Sequence, residues 1–184
     1  MAMATACVGI GTNLGDRVRN CQDAVKVLAR LPGTRLLGVS PLYETEPEDA
    51  AGPTWFVNAV AVLETSLAPG ALLGALQEIE ALAGRPGERA RGKDRTLDLD
   101  LLLYDDLVVT APSLAVPHPR MHRRRFVLEP LCAVAPEATH PTLGRSVRAL
   151  LAALGPGPAV RPLAVPSQVP PAAVATAGPV RGHR

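Results

Sequence analysis

The stretch DRTLDLDLLLYDD occupies residues 94–106. Within it Leu97, Leu99 and Leu101 alternate with Asp98 and Asp100. Side chains two residues apart on a strand share a face, with Cα atoms roughly 6.5–7 Å apart. A strand here sends the leucines into a core and both carboxylates to the opposite side. Two carboxylates that close repel unless a cation lies between them. Mg²⁺ fits, because it takes oxygen ligands, keeps several waters and shares coordination with phosphates. A pair of Mg²⁺ ions about 3.5–4 Å apart can be bridged by such a pair. The competing reading is a solvated strand face, or two partners for arginines.

Nine of the 19 basic residues fall in two short segments: Arg85, Arg89, Arg91, Lys93 and Arg95 before the acid pair, and Arg120, Arg123, Arg124 and Arg125 after it. Clustering of this kind suits a polyanionic ligand held at one place. Carboxylate-bound Mg²⁺ beside arginines is the equipment of phosphoryl transfer, in which positioning and charge neutralisation do most of the work. A plain network of salt bridges would use the same residues.

Working outward, residues 4–10 read as a strand, 16–31 as a helix capped by Asn13 or Asp16, and 35–45 as a second extended segment. Residues 55–65 form a third strand. A helix follows, with Ser66 as candidate cap, Leu72, Leu76, Ile79 and Ala83 on one face, and Gly84 as its stop. The acid-pair strand covers 97–103, and 107–110 pairs with it as a hairpin or edge strand. A helical piece over 120–136 and a short helix over 146–154 complete the order. The expected class is α+β, a ferredoxin-like βαββαβ arrangement with a mainly antiparallel sheet and helices packed on it. Residues 1–155 form one domain. Residues 156–184 hold seven prolines and no acidic or aromatic residue between 155 and 184, the composition of a flexible or extended tail.

The chain of 184 residues is 47% hydrophobic and 20% charged, a globular balance. Its net charge of +2 is too small for a general nucleic-acid binder. Cys7, Cys21 and Cys132 are odd in number and scattered, as in a reducing cytoplasm. No basic region precedes an apolar start, and no apolar run approaches the roughly 18 residues of a membrane span. A cytoplasmic protein without membrane contact is expected.

Gly9, Gly11 and Gly15 miss the dinucleotide-binding spacing, and no P-loop occurs, so a nucleotide is held by another scheme. Gly11 allows a close approach at the end of the first strand. There are five aromatic residues: Tyr43, Trp55, Phe56, Tyr104 and Phe126. Phe56 and Asn58 share a strand face, where a ring beside a carboxamide can stack on and hydrogen-bond a heteroaromatic ligand; Phe56 as ordinary core is the plainer alternative. His118 stands between Pro117 and Pro119 beside the second arginine cluster, placed for a phosphate contact or a structural role. No His/Cys pattern supports zinc.

GIGTNLGDR (9–17), SPLYETEP (40–47), FVNAVAVLET (56–65), RTLDLDLLLYDD (95–106) and VPHPRMHRRRFVLEPL (116–131) resemble, in order and spacing, the motifs of the 6-hydroxymethyl-7,8-dihydropterin pyrophosphokinase family. The resemblance covers about residues 5–155. It implies transfer of pyrophosphate from ATP to the pterin hydroxymethyl group, giving AMP, in folate biosynthesis, by a monomer that uses two Mg²⁺ ions. Carried onto this chain, it makes Asp98 and Asp100 the metal ligands and Arg85 and Arg95 the catalytic arginines. Gly11, Thr45, Phe56, Asn58 and Phe126 become pterin contacts, and Gln77, Arg91, His118 and Arg124 ATP contacts. Two departures stand out: Gly92-Lys93-Asp94 replaces a segment that often carries an aromatic residue, and Arg123 stands where an acid is frequent. Rival readings are an RNA-binding sheet, against which the missing aromatic RNP motif speaks, and a family member that binds without turnover.

Overall fold

Nine residues, Ala4–Thr12, form β1, and their burial alternates along most of its length, with Ala6, Val8 and Ile10 enclosed on one face. The computed structural model describes residues 3–48, 54–84 and 96–164. In them the chain runs from β1 through α1 (Arg17–Leu28), β2 (Thr34–Val39), β3 (Tyr43–Thr45), β4 (Phe56–Thr65) and α2 (Pro69–Leu82) to β5 (Asp98–Tyr104). The small hairpin β6 (Val109–Ala111) and β7 (Leu114–Val116) comes next, then α3 (Arg125–Val134), the hairpin β8 (Thr139–His140) and β9 (Arg145–Ser146), α4 (Val147–Ala153) and β10 (Val160–Pro162).

The class is α+β. One sheet runs in the order β10-β3-β4-β1-β5, with β2 also on β4, and every pair in it is antiparallel. Each face buries a separate core. On one side Val8, Ile10, Val57, Leu63, Leu99 and Leu101 meet Cys21, Val25 and Leu28 of α1 and Leu72, Leu76 and Ile79 of α2. On the other, Cys7, Val60, Val62 and Leu102 meet Leu128 and Leu131 of α3 and Val147 and Leu150 of α4. A sheet covered on both faces explains the nearly continuous apolar run of β4. Burial pushes the thiols of Cys7 and Cys21 up to about 12, so they stay protonated hydrophobes, and all three cysteines are free.

Several expectations change in detail. Asp16 is the cap of α1, its carboxylate accepting the Arg19 N–H at 3.1 Å. Ser66 does not cap α2. That helix begins at Pro69, after Ala68 as its N-cap, where a missing N–H costs nothing, and Ser66 donates to the Gly33 carbonyl instead. Gly84, with φ of 88°, follows the end of α2 as expected of a helix stop. The single segment expected over 35–45 is two strands. Proline at 41 cannot donate to a ladder, and the Ser40 hydroxyl takes up the Val60 N–H at 2.9 Å in the gap. Residues 107–110 do not pair with β5; Val109–Ala111 pair with Leu114–Val116. Residues expected beyond the domain add an edge strand, since Val160–Pro162 pair with Tyr43–Thr45 and Arg161 lies 5.0 Å over the Trp55 ring. Residues 165–184 lie outside those described. No helix of the described residues is long and apolar enough to cross a membrane.

His140 is 5% exposed and stands edge-on to His122, ring centroids 5.7 Å apart. Burial first, and His122 second, hold its pKa below the ordinary histidine value. The folded protein therefore keeps this ring neutral, whereas the unfolded chain protonates near pH 6.5. Stability is complete above that value and falls as pH drops below it. In denaturant titrations between pH 8 and pH 5, His140→Gln should show a shallower loss of stability with acidification than the parent; equal slopes would remove this account.

Candidate active site

The register places one residue from each of four adjacent strands in a row across the sheet: Tyr43 opposite Asn58, Asn58 opposite Gly11, and Gly11 opposite Asp98. Thr45 opposite Phe56, and Gly9 opposite Asp100, flank the row. Directly opposed residues share a face, and this is the α3 side, which also carries Cys7, Val60 and Val62. Gly11 leaves a backbone floor between the carboxamide and Asp98, while a Cβ at Gly9 would stand 3.5 Å from the Leu102 side chain. Asn58 donates from Nδ2 to the Thr45 Oγ1 at 2.6 Å, and both residues are buried. That bond aims the carboxamide, whose Oδ1 would lie 2.9 Å from a Cβ at position 11. Only glycine leaves that space.

The acid pair behaves as alternation requires. Leu97, Leu99 and Leu101 are 2–4% exposed, while Asp98 and Asp100 are half-buried on the other face. Between Val8 and Cys7 the β1–β5 register slips by one, so Leu102 is an extra, bulged residue. Its carbonyl accepts the His118 N–H at 2.9 Å, which pins the loop after β7 beside the acids. His118 Nδ1 accepts the Arg120 N–H at 3.2 Å, so the neutral ring carries its proton on Nε2. Burial pushes the His118 pKa down; Asp100 and, less strongly, Asp98 pull it up, while Arg124 and Arg120 push it down. Arg124 is desolvated too, with Arg120 repelling it and Glu48, Asp100 and Asp98 attracting it. The imidazole thus feels the opposing fields of two acids and two cations. An oxygen-seeking divalent cation suits this donor set: hard carboxylate oxygens, with cationic groups alongside for a shared anion.

Arg124 also ties the two ends of the site together. Its Nε is 3.5 Å from the Glu48 carboxylate, and its guanidinium lies 5.3 Å over the Phe126 ring in the first turn of α3. Phe56 opens β4, half-buried. Gln77 is exposed on α2. Arg85, Arg91 and Arg95, with Gly92-Lys93-Asp94, lie outside the described residues. One residue close to the acids escaped sequence reading. Glu80 of α2 is 2% exposed, and its Oε1 accepts the N–H of Leu99, the residue between the two aspartates, at 2.8 Å. A signal existed: Glu80 continues the stripe of Leu72, Leu76 and Ile79, and a carboxylate inside an apolar stripe needs a hydrogen-bond partner.

Fold and site define an α+β protein whose antiparallel sheet presents an acid pair and cationic groups on the same face as an aimed carboxamide. A sequence profile of the family described as 7,8-dihydro-6-hydroxymethylpterin-pyrophosphokinase (HPPK) matches residues 7–136. A 2-amino-4-hydroxy-6-hydroxymethyldihydropteridine pyrophosphokinase of Pseudomonas aeruginosa is 47% identical over 146 residues, 79% of this chain and 89% of the relative. The one from Methylorubrum extorquens is 38% identical over 154 residues, 84% and 96% of the two chains. Among solved structures, wild-type HPPK-DHPS of Plasmodium falciparum with SDX-DHP superposes with a TM-score of 0.66 at 15% identity. That match spans 82% of this chain but 44% of the other, which is more than twice as long as the shared fold. The chain belongs to the 7,8-dihydro-6-hydroxymethylpterin-pyrophosphokinase family.

Gly11→Ala should displace the Asn58 carboxamide from Thr45 Oγ1, at a cost of about 1–3 kcal/mol for overpacking. Denaturant midpoints and the Asn58 side-chain amide resonances report both effects. Unchanged resonances would mean that the floor tolerates the methyl group.

Proposed function

We propose that this face transfers the pyrophosphoryl group of ATP to the hydroxymethyl oxygen of 6-hydroxymethyl-7,8-dihydropterin, giving AMP and the pterin diphosphate in folate synthesis. The observation that carries the reading is the placement, on one sheet face of a family member, of an acid pair beside His118 and Arg124 and of an Asn58–Thr45 pair two strands away. The first suits a triphosphate with its cation, and the second suits a flat heteroaromatic ring with donors and acceptors on its edge.

In this reading Asn58 and the Thr45 segment read the pterin edge, Gly11 forms the pocket wall, and Phe56 and Phe126 supply the stacking faces. Asp98 and Asp100 hold two Mg²⁺ ions, which when bound neutralise the charge of the triphosphate. His118 and Arg124 contact the nucleotide, with Gln77 and Arg91 as further contacts and Arg85 and Arg95 closing over the phosphates. The pterin oxygen attacks the β-phosphorus in line. The bond from the β-phosphorus to the oxygen bridging it to the α-phosphorus breaks, AMP leaves with that oxygen, and the hydroxyl proton passes to solvent. A loose transition state asks little of a base, which agrees with a site rich in cations. We further read the sheet as the ferredoxin-like split βαβ: β5, β1, β4 and the β2–β3 edge stand in its order, with α1 and α2 on one face. A monomer in the cytoplasm completes the proposal, with residues 1–155 as the pyrophosphokinase domain.

Incubation with ATP, Mg²⁺ and the pterin alcohol should release AMP; release of ADP, or no turnover, overturns the reading. Chelation with EDTA should abolish turnover, and added Mg²⁺ should restore it. Asp98→Asn and Asp100→Asn should each cut turnover on the order of 10²–10³-fold, the scale for losing a preorganised electrostatic group, with the unfolding midpoint kept. Near-parent turnover in saturating Mg²⁺ would remove the metal assignment.

A further inference from the structure

We propose that Glu80 is a positioning residue for the acid pair: it closes the open hydrogen-bonding edge of β5 at Leu99 and thereby sets how Asp98 and Asp100 are presented. Among the described residues, β5 ends the sheet order and pairs with β1 alone. The N–H of Leu99 turns away from β1 and donates to Glu80 Oε1 at 2.8 Å, from a strand residue that is 2% exposed. An edge strand is free to twist or slip unless its outer row is covered. Here the cover falls on the peptide between the two aspartates. The same helix buries Leu76 and Ile79 in one core with Leu99 and Leu101, so carboxylate and apolar stripe both tie α2 to β5.

Chemistry argues that the carboxylate is not filler. Burying it is costly unless it is hydrogen-bonded, and a leucine would have extended the stripe of α2 at no such cost. What the carboxylate supplies and leucine cannot is a strong acceptor for a backbone N–H with water excluded. A residue that orients metal ligands in this way influences affinity without touching the cation. The inference rests on the reading of Asp98 and Asp100 as holders of Mg²⁺.

Glu80→Gln keeps the acceptor and removes the charge; Glu80→Asp keeps the charge and withdraws the acceptor by one methylene; Glu80→Leu removes both. Amide hydrogen exchange at Leu99, read without substrate or metal, should stay slow in Glu80→Gln and quicken in the other two. The Mg²⁺ concentration for half-maximal turnover should rise about tenfold in Glu80→Asp and Glu80→Leu, the low end for an outer-shell partner, with pterin KM within about twofold of the parent. Unchanged Leu99 protection in Glu80→Asp or Glu80→Leu overturns the inference. So does a reversed order, with Glu80→Asp normal and Glu80→Gln impaired, since charge alone would then be acting. Asp98→Asn run alongside separates the failures: if it too keeps the parent Mg²⁺ requirement, the metal reading has failed, while Leu99 exchange still decides whether Glu80 holds the strand.

Discussion

Everything at this site depends on the antiparallel pairing of β1 with β4 on one side and β5 on the other. β1 lies between these two strands, and its Gly9 and Gly11 stand on the same face as Asn58, Asp98 and Asp100. Because Gly11 has no side chain, Asn58 from one neighbour and Asp98 from the other look across an open floor. A one-residue slip on either side would turn the carboxamide or the acids into the apolar core. That core, with Val8, Ile10, Val57, Leu99 and Leu101 on the opposite face, is what forbids the slip.

The charged groups are held at a cost met by their neighbours. His118 and Arg124 are both desolvated, and both are drawn toward the same two acids. The Leu102 bulge brings the His118 backbone to the strand, and the Phe126 ring supports the Arg124 guanidinium. Carboxylates and cationic groups are therefore held together on one face by the surrounding structure, before any ligand arrives. The far edge is braced differently. β10 pairs with β3, and the Ala159 carbonyl accepts the Glu46 N–H at 2.9 Å, so the end of the Thr45 strand is anchored by residues more than a hundred positions later.

Much of this was legible in sequence wherever the cause is local. Alternation placed Asp98 and Asp100 opposite the leucines, the cap choice of Asn13 or Asp16 included the right residue, and Gly84 marked the end of α2. Ser66 as a cap failed because Pro69 sets a later start. The strand over 35–45 failed because a β-forming composition does not reveal the break that Pro41 makes in a ladder. Residues 107–110 chose their own hairpin partner, a choice between two antiparallel pairings that composition leaves equal.

By itself, then, the sequence determined which residues share a face, because period two and period 3.6 are properties of the backbone. It also determined the charge at hand, and in its motifs the family. Only tertiary structure decided the row from Tyr43 through Asn58 and Gly11 to Asp98, the reach of Glu80 to Leu99, and the joining of β10 to the sheet. These contacts link residues far apart along the chain. Their partners follow from register, and register is settled only when both faces of the sheet are buried at once.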